Sequence, residues 1–195
     1  MKKKIFLFVL IMAACFMITG CEDEEENKMV TGKVNAEIVV ENYGTIELEL
    51  DADTAPITVN NFVKLVNNKF YDGLTFHRII EGFMIQGGDP LGNGTGGSSE
   101  RIRGEFANNG VENNISHTRG VISMARSSDP NSASSQFFIV HKDSTFLDGN
   151  YAAFGHVTSG MEVVDKIAES AKVEDDNGTV LKENQPTIKS IRIKK

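Results

Sequence analysis

The residues of this chain best suited to chemistry are one arginine, two amides and a few apolar side chains on two short runs. The first run is Tyr71 to Gly88, YDGLTFHRIIEGFMIQGG. Arg78 sits inside it, with Phe76 before it, Ile79 and Ile80 after it, and Phe83, Met84 and Gln86 further on. Charged side chains are rarely buried without a partner, so an arginine inside an apolar run needs a reason. It could belong to an edge strand, its stem on apolar surface and its head in water. It could also belong to a site, and the second run decides how well that reading fits. Met84 and Gln86 share a face if their strand is extended, and Gln136 and Phe138 do the same, while Phe137 and Ile139 point the other way, toward a core. If the two strands meet, they and Phe83 wall an apolar pocket rimmed by neutral amides, with Arg78 at its edge. Such a set binds and polarises. If the strands do not meet, the residues form no site.

Other chemistries lack their parts. His77, His117, His141 and His156 are far apart, with no pair at i,i+4 on a helix, so no metal site is expected and a structural or surface role is assigned to each. No serine lies in a nucleophile elbow. Gly92, Gly94 and Gly97 formally spell G-x-G-x-x-G, but a proline precedes them and no helical periodicity follows, so no dinucleotide site is expected. Those glycines more simply let a loop backbone pass close to something. No cofactor is implied. The formal charge, 20 − 27 = −7, argues against nucleic acid as a partner.

The elements that must position these residues are short. Ala36 to Val40 and Thr45 to Leu50 read as a hairpin around Asn42-Tyr43-Gly44, with Ile46, Leu48 and Leu50 alternating with Glu47 and Glu49. Asp53-Thr54-Ala55-Pro56 predicts a helix start with a polar cap, and Val59, Phe62, Val63 and Val66 follow at helical spacing. Val121 to Ala125, Gln136 to Val140, Tyr151 to Val157 and Thr187 to Ile193 read as strands, and Gly160 to Ser170 as a second helix. With the strands of the Tyr71 to Gly88 stretch, the expectation is a mainly β fold. It is an eight-stranded antiparallel closed barrel capped by two α-helices.

At 195 residues the chain allows one domain, or a domain and a tail. Lys2, Lys3 and Lys4 precede an uncharged apolar run from Ile5 to Ile18, short for a bilayer span but suited to the apolar region of a secretory signal. Ile18-Thr19-Gly20-Cys21 resembles the lipobox of bacterial lipoproteins, whose cysteine is acylated and becomes the N-terminus. The expected division is a signal peptide over 1–20, an acidic tether over 21–34 carrying lipidated Cys21 and the run Glu22 to Glu26, and a domain over 35–195. The processed chain has charge 17 − 27 = −10 and no cysteine free for a disulfide.

The run YDGLTFHRIIEGFMIQGG resembles the signature of the cyclophilin-type peptidyl-prolyl cis-trans isomerases. So do NGTGG at Asn93 to Gly97, SMA at Ser123 to Ala125, SQFFI at Ser135 to Ile139, LDG at Leu147 to Gly149 and Phe154-Gly155, in the family's order. The resemblance implies that Arg78 is the catalytic arginine and that Phe83, Met84, Phe138 and Leu147 receive the proline ring. It implies that Gln86 and Gln136 hold the peptide backbone and that Gly94 and Ala125 are backbone contacts. Arg126 stands where the family often has asparagine, and His77 has a lesser role beside Arg78. Phe146 replaces a tryptophan of many eukaryotic members and Tyr151 a histidine of the groove, which implies weak cyclosporin binding. The implied partners are Pro-containing proteins folding outside the cytoplasm, met by a monomer held to a membrane by its lipid.

Overall fold

The computed structural model describes residues 29–194. The expected leader, Cys21 and the acidic run lie outside the described residues. Strand β1 (Lys33–Val40) and strand β2 (Gly44–Asp51) form the first hairpin, with Ala36, Ile38 and Val40 buried on β1 and Ile46, Leu48 and Leu50 on β2. Ile38 faces Ile46 and Ala36 faces Leu48 across the pair. β1 begins two residues before the boundary expected at 35. Ahead of it, the Val30 N–H donates to Asn60 Oδ1 at 2.7 Å.

Helix α1 (Pro56–Asn67) follows with Thr58, Val59, Phe62, Val63 and Val66 inward. Proline at its start is tolerated because a first-turn N–H has no intrahelical partner. The polar cap expected from Asp53 or Thr54 is not made: Ala55 occupies the cap position, and Asp51 holds the Asp53 N–H, the Thr54 N–H and the Thr54 hydroxyl. Glu105 supplies the cap from far along the chain. Its Oε1 accepts from Ile57 N–H at 3.0 Å, and its Oε2 accepts from Thr58 N–H at 2.8 Å and Thr58 Oγ at 2.7 Å.

Next come β3 (Phe76–Ile80), β4 (Met84–Gly87), β5 (Val121–Met124), β6 (Phe137–Val140), β7 (Ala153–Ser159), helix α2 (Met161–Ser170) and β8 (Ile188–Ile193). The eight strands form one antiparallel sheet in the order β3-β4-β6-β5-β7-β2-β1-β8. It curls so that its two edges meet at a single bridge, Thr75 to Thr187, rather than along a full ladder. The concave side holds the main core, where Phe62, Tyr71, Phe76, Phe137 and Phe154 are fully buried and Phe62 meets Phe137 edge-on at 5.7 Å. Strand alternation leaves the opposite face of β4 and β6 to a smaller cluster that includes Met84, Phe138, Val140 and Leu147. The candidate site lies over that cluster.

Candidate active site

β4 and β6 are neighbours, and the two runs do meet. Gln86 lies opposite Phe138 and Met84 opposite Val140, while on the other side of β4 Arg78 pairs with Gln86. Arg78, Gln86 and Phe138 thus stand in one row across three strands. Phe137 and Ile139 turn into the core.

Arg78 is held but not used up. Its Nε donates to the Asn177 carbonyl at 2.8 Å, and its Nη1 donates to Gln86 Oε1 at 3.3 Å and lies 4.0 Å from Met84 Sδ. Among the described residues no hydrogen bond uses Nη2. Burial lowers the guanidinium from its usual pKa, opposed by Tyr151 and Asp175, but arginine stays charged at any physiological pH. The result is a fixed cation with donors left for a ligand.

The amides form a relay. Gln86 Nε2 donates to Gln136 Oε1 at 2.9 Å, and Gln136 Nε2 donates to the carbonyls of Gly94 at 3.1 Å and Gly96 at 2.7 Å. Gln86 keeps one N–H for a ligand. Gln136 uses its N–H groups on the glycine loop and its Oε1 on Gln86, so it positions Gln86, the amide that lines the cleft.

Phe83, Met84, Phe138, Leu147, Ala125 and Tyr151 wall the apolar part of the cleft, whose volume is about 660 Å³. Phe146 stands outside the lining, 71% exposed, with its ring 5.6 Å from that of Phe83. Arg126 and Tyr151 face each other. The Arg126 guanidinium lies 4.7 Å from the Tyr151 ring and 5.1 Å from that of Phe106, with its Nε donating to the Asn150 carbonyl at 2.9 Å. A flat cation on an aromatic face is mutually stabilising, so the tyrosine wall and the arginine at position 126 form a matched pair.

Sequence reasoning missed the far wall, which consists of Leu91, Gly92, Asn93 and Thr95 with Asn177, Thr179 to Lys182 and Gln185. The glycines at 92–97 do bring a loop close, as expected. A Cβ at Gly96 would collide with Asp89 Oδ1. Asp89 is 1% exposed and accepts from the N–H groups of Leu91, Asn93 and Gly94. Burial raises its pKa, but those bonds outweigh it and hold the carboxyl below the usual value.

Two buried histidines support the cleft. His117 is 1% exposed, with Nδ1 2.8 Å from Asp148 Oδ1 and Nε2 3.0 Å from Ser123 Oγ. The three make a serine–histidine–aspartate line, but Ser123 is fully buried and faces no substrate. Its use is mechanical: the His117 ring stacks on Phe138 at 6.0 Å. Burial lowers the His117 pKa despite Asp148, so near neutral pH the contact is a hydrogen bond from Nδ1–H rather than an ion pair. His77 lines the cleft, and by hydrogen-bond geometry neither ring nitrogen has a partner among the described residues. Burial lowers its pKa as well.

Below pH 6.5, the ordinary histidine value, an unfolded chain takes up protons that the native histidines resist. Stability therefore falls as pH drops from 6.5 toward the lower native values. Asp89 and Asp148, both held below 3.8, add a further loss at lower pH. The urea midpoint should be lower at pH 5 than at pH 7.5, and an unchanged or higher midpoint would contradict neutral burial of His77 and His117.

A family model described as cyclophilin type peptidyl-prolyl cis-trans isomerase/CLD matches residues 35–195. A peptidyl-prolyl cis-trans isomerase of Acinetobacter baylyi is 47% identical over 132 residues, covering 65% of this chain and 68% of that protein. Peptidyl-prolyl cis-trans isomerase B of Bacillus subtilis is 44% identical over 145 residues, covering 74% and 92%. A crystal structure of a Cryptosporidium parvum cyclophilin type peptidyl-prolyl cis-trans isomerase, in the presence of the dipeptide Ala-Pro, matches with a TM-score of 0.72 at 32% identity. The match covers 83% of this chain and 99% of that one.

Proposed function

The chain belongs to the cyclophilin-type peptidyl-prolyl cis-trans isomerase family, and we propose that its cleft accelerates X-Pro rotation by binding the twisted amide through Arg78. Rotation about a peptide bond costs roughly 18–20 kcal/mol because amide resonance is lost. X-Pro bonds left alone exchange over tens to hundreds of seconds. In the twisted state the prolyl nitrogen regains its lone pair and becomes a better acceptor. The free Nη2 of Arg78 is the donor for it. A donor that gains strength only in the twisted state lowers the barrier. Phe83, Met84, Phe138 and Leu147 grip the ring, and Gln86 holds the adjacent backbone, so one side of the bond turns against the other. No bond is made or broken.

The observation that carries this reading is the row Arg78, Gln86 and Phe138 across three adjacent strands, with Arg78 anchored at Nε and open at Nη2. The test is a proline-isomerisation assay with the full chain and a short X-Pro peptide. Binding without acceleration would make the domain a non-catalytic holder of proline segments instead.

The wider setting is read from the sequence. The apolar run before Cys21 and the acidic run after it support a lipoprotein whose domain works, as a monomer, on proteins folding outside the cytoplasmic membrane. Cys21→Ala should move the protein from the membrane fraction to the soluble fraction. Full membrane retention of that variant would rule out lipidation as the anchor.

A further inference from the structure

The cleft is longer than a proline ring requires. Its volume of about 660 Å³ suits a whole small ligand (roughly 300–1,000 Å³), whereas a pyrrolidine ring fills only the part walled by β4 and β6. The remainder lies beyond β3, where the chain near Thr179 continues the sheet. Arg78 bridges Thr179, Ile79 N–H donates to the Gly178 carbonyl at 2.8 Å, and Val180 N–H donates to the His77 carbonyl at 3.1 Å.

Leu91 and Leu181 line this outer part, 61% and 42% exposed. Scattered surface leucines are ordinary, but these two face one cavity from two different loops, and both loops are braced. Gln185, 9% exposed, donates from Nε2 to the carbonyls of Gly92 and Val180, each at 2.8 Å. The Asp89 carboxylate holds the Leu91 N–H at 2.8 Å. Buried polar groups thus fix two apolar side chains open to water on either side of a cavity continuous with the proline pocket.

We propose that the outer part is a second subsite for an aliphatic side chain of the leucine class, on the same extended segment whose proline occupies the inner part. This rests on the isomerase reading, and continuity of the cleft selects the occupant, because one peptide must run through both halves. Leucine is among the side chains most often fully buried in folded proteins, so a chain still folding offers far more of it. A segment offering proline and leucine together in extended form comes from a chain that has not finished folding, and that is the substrate class the subsite selects.

The experiment uses the full chain and proline peptides with alanine or leucine at each flanking position in turn. At one position leucine should raise kcat/KM by roughly tenfold, mainly through KM. In the Leu91→Ser/Leu181→Ser variant that ratio should fall to about one, whereas Leu91→Met, which keeps apolar area, should retain most of it. If the wild type accelerates no peptide at all, the isomerase reading itself fails. If it accelerates peptides with a leucine-to-alanine ratio near one at every position, or if the serine variant keeps the ratio, the subsite alone is overturned. Self-association that disappears in the serine variant, with peptide selectivity unchanged, would assign the leucines to a second copy and also overturn it.

Discussion

Arg78→Ala is expected to lower kcat/KM for a short X-Pro peptide by roughly 10²–10³-fold, the scale of removing one preorganised donor from a site of developing charge or basicity. The loss should fall mainly on kcat, because a planar X-Pro amide has little lone-pair density on its nitrogen for the guanidinium to bind. Arg78→Lys should recover only a small part. A lysine ammonium is a single point donor and cannot bond Asn177, Gln86 and a substrate from one planar group. Gln86→Ala should show a smaller loss of the same kind, because it removes the acceptor that orients Nη1. An Arg78→Ala enzyme as fast as wild type, with an unchanged urea midpoint, would leave pocket and backbone contacts as the whole catalytic apparatus.

The core of this site was legible because strand periodicity is local. The spacings Met84/Gln86 and Gln136/Phe138 are enough to put each pair on one face of an extended strand, and the register sets Gln86 against Phe138. What spacing does not carry is contact between segments far apart in the chain. Gln185 reaches Gly92 across 93 residues, and the wall that includes Leu181 depends on it. The local run from Thr179 to Gln185 looks like any polar loop. Gln136 shows a related limit: its residue type and face were readable, but the Gly94 and Gly96 carbonyls that take its donors were not. The start of α1 misled for a similar reason. Asp53 and Thr54 have the composition of a cap, but Asp51 engages both, and the helix is capped from 47 residues away.

That remote cap should weigh most on stability. Glu105 is 2% exposed and has no cationic partner among the ion pairs of the described residues. Its charge is offset by the first-turn N–H groups of α1 and the Thr58 hydroxyl, together with the positive end of the helix dipole. Glu105→Ala leaves the Thr58 N–H and hydroxyl buried without an acceptor, at a cost of about 2–4 kcal/mol. For a domain of this size that corresponds to a fall in Tm of roughly 5–15 °C. Glu105→Gln should be only partly tolerated, since its amide offers one acceptor and turns a second donor toward groups that already donate. Thr58→Val made on top of Glu105→Ala removes one of the orphaned donors, so the double variant should lose less than the sum of the two single variants. Strict additivity, or an alanine variant as stable as wild type, would mean that water satisfies the helix end and that Glu105 is not its cap.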